Sequence, residues 1–123
     1  HKAIIIGVGN LGRALMTNFN FGQSGFALAA AFDVKKELQG IQVAGVPVLS
    51  MESLQDYVEH KRPDIAILTL PRQFASQVAA DLCKWGIRGI WNFTGVDLHL
   101  DGLEVPVENV HFSESLMTLS YRI

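Results

Sequence analysis

Near the start of the chain, Gly7-Val8-Gly9-Asn10-Leu11-Gly12 has the spacing G-x-G-x-x-G. It follows a short aliphatic run, Ala3 to Ile6, and opens a segment whose apolar positions Leu11, Ala14, Leu15 and Phe19 recur at helical spacing. A strand, a glycine turn and a helix in that order suit the binding of a diphosphate. Gly7 permits the tight turn, Gly9 lets the anion approach the backbone, and Gly12 lets the helix sit close on the strand. The anion then meets unpaired N–H groups and the positive end of the helix dipole. About 20 residues further on, Asp33 closes a second apolar run, Ala27 to Phe32, with Val34 beside it. A carboxylate there accepts hydrogen bonds from the hydroxyls of an adenosine ribose and repels a 2′-phosphate. Asp33 therefore favours NAD over NADP, while Lys35 and Lys36 keep NADP open. Against this stands the plainer reading, in which the glycines serve packing alone. The strand before the loop, the helix after it and the carboxylate downstream weigh against that.

Open parallel sheets bind ligands outside the carboxyl ends of their strands. Two later segments, Thr69-Leu70-Pro71 and Asn92-Phe93-Thr94-Gly95, end strands at that same edge. They either line the nicotinamide half of the site or are ordinary strand-to-helix loops. No catalytic acid or base stands out among them, so the residues do not suggest an enzyme. Cys83 is the only cysteine, which excludes an internal disulfide and deprives a zinc site of its usual thiolates. It is expected to be a partly buried, inert thiol. His1, His60, His99 and His111 are scattered, and no metal site follows from them. Glu114 and Ser115 lie close after His111, but three residues on one short stretch do not make a hydrolytic triad.

The elements that must position these residues alternate. After the first strand come a helix from Asn10 to about Asn20 and a strand from Ala27 to Phe32. A third strand is expected over Val46 to Leu49, with Ser50 capping a helix through about His60. Pro63 precedes a fourth strand, Ile65 to Leu70. Pro71 then starts a helix with the apolar stripe Phe74, Ala75, Val78, Ala79, Leu82 and Trp85. Gly86 ends it, and Ile87 to Phe93 and Val105 to Val110 read as fifth and sixth strands. Near-continuous aliphatic strands alternating with helices predict an α/β, Rossmann-type parallel sheet covered by helices on both faces. At the C-terminus, Phe112, Leu116, Leu119 and Ile123 share one helical face, widened by Met117 and Tyr121. That helix either returns to its own sheet or docks on a second subunit.

Composition agrees with one domain spanning residues 1–123. The chain is 49% hydrophobic and 18% charged, enough to form a core. With a net charge of −2 and no basic cluster longer than Lys35-Lys36, it lacks the basic face that binds nucleic acid. Its apolar runs are far shorter than a membrane span, and no signal peptide is expected. Cysteine usage suits a cytoplasmic location. The chain opens at His1, and is expected to be a piece of a longer protein cut just before a strand.

The ordered set of motifs resembles the Rex redox-sensing transcriptional repressors of bacteria. It comprises residues 2–14, Ala31-Phe32-Asp33, Gly45-Val46-Pro47-Val48, residues 66–71, residues 86–94, Val107-Glu108-Asn109-Val110 and Leu119-Ser120-Tyr121. The resemblance implies a homodimer whose Rossmann domain binds NADH or NAD⁺. It also implies an N-terminal winged-helix domain, outside this chain, that binds operator DNA and is released by NADH. By the same resemblance the terminal helix, about 108–123, is exchanged between subunits and brings Phe112 near the nicotinamide. Two positions depart from the family pattern. Gly95 stands where a proline is usual, which implies a more mobile loop, and His111 stands where an acidic residue is common. A histidine there feels a positively charged nicotinamide less favourably than a carboxylate, which predicts a stronger preference for NADH or a pH-tuned one. Two rivals remain: the cofactor half of a dehydrogenase, and a regulatory module that binds CoA.

Overall fold

The computed structural model describes residues 1–98 and 104–110. In order, the elements are β1 (Lys2–Ile6), α1 (Asn10–Asn18), β2 (Ala27–Asp33), β3 (Gln42–Val43), β4 (Val46–Ser50), α2 (Leu54–Lys61), β5 (Ile65–Leu68), α3 (Arg72–Lys84), β6 (Gly89–Asn92) and β7 (Val107–Asn109). The strands form one sheet in the order β3-β4-β2-β1-β5-β6-β7. Every pairing is parallel except β3 with β4. The anticipated doubly covered sheet is therefore present, with one antiparallel edge strand added.

Alternation along the strands divides the core into two layers. Ile4 and Ile6 face one way with Phe32, Ala66 and Leu68, and are covered by Leu54 and Val58 of α2 and by Ala75, Ala79 and Leu82 of α3. Ala3 and Ile5 face the other way with Ala31, Val48 and Ile67, and meet Met16 of α1 and Phe21. Each fully buried Ile or Leu removes apolar surface worth roughly 1.5–3 kcal/mol. From β1 the chain moves outward through β2 to β4, then crosses back to β5 on the opposite side of β1. The crevice at that reversal, beyond the carboxyl ends of β1 and β5, is where such sheets bind ligands.

Several boundaries differ from expectation for local reasons. Ser50 does accept a hydrogen bond at a helical start, from Glu52 N–H at 3.2 Å, but the turn it caps is the 3₁₀ segment Met51–Ser53. Helix α2 begins only at Leu54. Helix α1 stops at Asn18, and the side chain of Asn20 caps a second 3₁₀ turn, Phe21–Ser24. Pro71 sits one position before α3 rather than as its first residue. β6 starts at Gly89 because Ile87 N–H still closes the end of α3 on the Leu82 carbonyl. β5 ends at Leu68, although Thr69 N–H still donates to the Ile6 carbonyl at 2.9 Å, while β7 is shorter than the span Val105 to Val110. The helix expected over about 108–123 does not include Glu108 and Asn109, which pair in β7, and its residues His111, Phe112, Leu116 and Ile123 lie outside the described residues. No described helix is long and apolar enough to cross a membrane.

Candidate functional site

At the reversal point lies a cleft of about 560 Å³. Its floor is the glycine loop. Gly7 adopts φ +104°, and a Cβ there would come within 2.7 Å of the Leu70 backbone nitrogen. A Cβ on Gly12 would overlap the Gly7 carbonyl oxygen and approach Thr69 Oγ1. Gly9 is different: a Cβ there meets nothing within 4 Å, so the space above it is open to the cleft. The first bond of α1 runs from Arg13 N–H to the Gly9 carbonyl. The N–H groups of Asn10, Leu11 and Gly12 thus precede the helical ladder, with neither a side-chain cap nor an acidic residue in the first turn. These are the steric roles and the free positive helix end anticipated from the motif.

Asp33 ends β2 beside this loop and is engaged on both oxygens. Oδ2 accepts Val8 N–H at 2.7 Å and Oδ1 accepts Lys35 N–H at 2.8 Å. Each oxygen retains acceptor capacity for a hydroxyl. The bond to Val8 also removes that N–H from the set available to an anion. Gln39, which the sequence reading did not single out, closes the following loop by donating from Nε2 to the Asp33 and Val34 carbonyls at 3.1 and 3.4 Å. Val34 is 73% exposed and, with Leu38 and Met51, gives this end of the cleft its apolar walls.

Thr69, Leu70 and Pro71 line the middle of the cleft. The Thr69 hydroxyl lies 2.6 Å from the Gly7 carbonyl oxygen and 3.2 Å from that of Ile6, so its proton holds the glycine loop rather than facing a ligand. Phe93 and Thr94 line the β6 end. Thr94 Oγ1 donates to Asn92 Oδ1 at 2.7 Å, and is likewise committed within the chain. Asn92 does not line the cleft. It is 1% exposed, and its amide organises the loop from below. Gly95 also lies off the cleft wall, at φ +84°, a conformation closed to proline, whose ring fixes φ near −65°. Asn10, Leu11 and Gly12 shape the floor without forming its wall.

Two residues of the apolar stripe of α3 line the cleft, Val78 while also packing against the core. Phe74 is 51% exposed and Val78 half-buried, and both face the cavity, whereas Ala75, Ala79 and Leu82 are buried. Helical spacing gives the same apolar signal for a core and for an apolar pocket wall. Arg72 and Lys35 add cationic groups to a cleft whose only carboxylate among the described residues is Asp33. Cys83 is a free, half-buried thiol, and burial pushes its pKa up, as expected of an inert one. Among the described residues no cluster of His, Cys, Asp or Glu could hold a metal ion.

Residues 1–96 match the family model of the CoA-binding domain, and the chain belongs to that family. The nearer relationship is to the repressors whose motifs it resembles. It is 42% identical to the redox-sensing transcriptional repressor Rex of Caldanaerobacter subterraneus subsp. tengcongensis, across all of this chain and 54% of that protein. The chain thus spans about half the length of the relatives it matches. Among solved structures, the Rex-family repressor RSP bound to β-NADH superposes with a TM-score of 0.92 at 41% identity, covering 99% of this chain and 59% of that one. RSP bound to β-NAD⁺ and operator DNA gives 0.90 at 40% identity, covering 99% and 56%. The Rex resemblance and the Rossmann-type fold are both borne out.

Proposed function

We propose that this chain is the NAD(H)-binding sensory domain of a redox-sensing transcriptional repressor rather than an enzyme. The observation that carries the reading is the junction of Asp33 with the glycine loop: a carboxylate with spare acceptor capacity beside an open, uncapped helix N-terminus. The adenosine ribose sits at Asp33, the diphosphate above Gly9, and the nicotinamide at the end formed by Phe93 and Thr94. NADH and NAD⁺ compete for the cleft. In the whole protein NADH releases a DNA-binding domain that lies outside this chain, in keeping with the cytoplasmic setting of a repressor. Two copies associate through the C-terminal segment, about 108–123, which brings Phe112 to the nicotinamide. The structures of RSP with β-NADH and with β-NAD⁺ and operator DNA support the ligand and DNA parts of this reading.

NADH acts on such an equilibrium only through its difference in affinity for the DNA-competent and released states. The family description raises CoA as a second ligand. Asp33 argues against it, since a ribose bearing a 3′-phosphate brings an anion towards a carboxylate. Calorimetric titration with NADH, NAD⁺, NADPH and CoA tests the reading. Tight NADH binding, weaker NAD⁺ and little NADPH or CoA are expected; preference for CoA or NADPH would reject it.

A further inference from the structure

We infer that Asn109, which does not line the cleft, is a positioning residue for its nicotinamide end, acting through Asn92 on the Thr94 loop. The inference rests on the NAD(H) reading above. Asn109 is the last residue of β7 and stands opposite Asn92 of β6. Its Oδ1 accepts Asn92 Nδ2 at 2.7 Å and Leu98 N–H at 3.3 Å. The second Nδ2 proton of Asn92 goes to the Val96 carbonyl. Asn92 Oδ1 accepts from Thr94 twice, from N–H at 3.0 Å and from Oγ1 at 2.7 Å. Thr94 Oγ1 in turn accepts Val96 N–H at 3.3 Å.

This cluster fixes the orientation of a buried amide. Asn92 can turn its oxygen to Thr94 only while its NH₂ finds two acceptors on the far side, one of which is Asn109. Without that acceptor, a buried N–H is left unpaired and the amide is free to turn, which releases Thr94. The ladder does not depend on the Asn109 side chain, because Val110 N–H donates to the Asn92 carbonyl at 2.9 Å. Asp33, at the adenosine end, gives its two carboxylate oxygens to Val8 and Lys35 instead. A defect at Asn109 is therefore confined to one end of the site.

ADP-ribose carries the adenosine and the diphosphate but no nicotinamide, so it separates the two ends. Calorimetry with NADH and ADP-ribose is run on the wild type, Asn109→Leu and Asn109→Asp. Asn109→Leu is expected to weaken NADH by about tenfold, the scale of one buried hydrogen bond, with ADP-ribose within about twofold. Asn109→Asp, which keeps an acceptor for Asn92 and Leu98, restores most of the NADH affinity. Equal loss for both ligands, or unchanged NADH affinity, overturns the inference. Should Asn109→Leu fail to fold, Thr94→Val removes the hydroxyl bond to Asn92, leaving only the backbone one, without touching β7. It must show the same selective loss, and unchanged NADH affinity there also overturns the inference. A wild type that binds neither ligand overturns the NAD(H) reading itself, and with it this one.

Discussion

The two ends of the cleft are built by different means. At the β2 end a charged carboxylate stands at the wall, holding Val8 and Lys35 while keeping acceptor capacity for a ligand. At the β6 end the polar groups of Asn92, Thr94 and Asn109 satisfy one another, and what the loop offers a ligand is its shape. Recognition by an open acceptor weakens in proportion to the bonds lost. Recognition by a shaped loop is lost when the support beneath it gives way, even where no ligand contact is removed.

The largest effect is expected where both ends share a floor. Gly12→Val drives a side chain into the Gly7 carbonyl, and NADH and ADP-ribose should both fall below detection by calorimetry. Retained binding of either would mean the loop tolerates a shift of α1. Asp33→Ala comes next. Loss of charge-assisted bonds, about 1.5–3 kcal/mol, should lower NADH and ADP-ribose affinity together by about tenfold to a hundredfold and narrow the gap to NADPH. A loss confined to NADH would place the ribose at the wrong end. Gly95→Ala imposes a left-handed cost of about 1–2 kcal/mol, visible as a lower Tm, with NADH binding hurt more than ADP-ribose.

A smaller change is expected in acid stability. Asp64 accepts Lys2 N–H at 2.6 Å and Arg88 Nη1 at 2.9 Å. The Lys2 bond first, then Arg88, holds its carboxyl below the usual carboxylate range, against an opposing desolvation. A folded-state pKa below the unfolded one adds stability above the unfolded pKa, and that stability disappears as pH falls through the folded pKa. Asp64→Asn should therefore flatten the acid limb of a denaturation-versus-pH curve while sparing both ligand affinities; an unchanged limb would leave the shift without a role in folding. Smallest of all, the Cys83 thiol should react with a disulfide reagent more slowly than a free cysteine at neutral pH.

The β2 end was legible in the sequence because its parts lie within one strand–turn–helix–strand unit, where spacing alone brings Asp33 to Gly7–Gly12. The β6 end was only half legible. Asn92 and Thr94 were singled out, but as lining residues, since sequence does not say whether a polar side chain faces a ligand or a neighbouring loop. Asn109 stood in a motif of the family resemblance with no role attached, because its role follows from the pairing of β6 with β7. Phe74 and Val78 share the period of the buried α3 positions, so the stripe alone does not mark them as cleft lining. The edge strand β3 was missed because its hairpin turns on Ala44 and Gly45, at φ +52° and +80°. Ala-Gly is not among the dipeptides that advertise such a turn.

That edge strand also limits how copies of the chain can meet. A sheet that ends in a long, flat strand invites another chain to add to it, and very short edge strands are one defence against this. Here β3 offers two residues, and the strand behind it carries Pro47, which has no N–H to donate. The β3 side thus gives little template for edge-to-edge growth into fibres. Any association between copies is then left to other surfaces, even at high protein concentration.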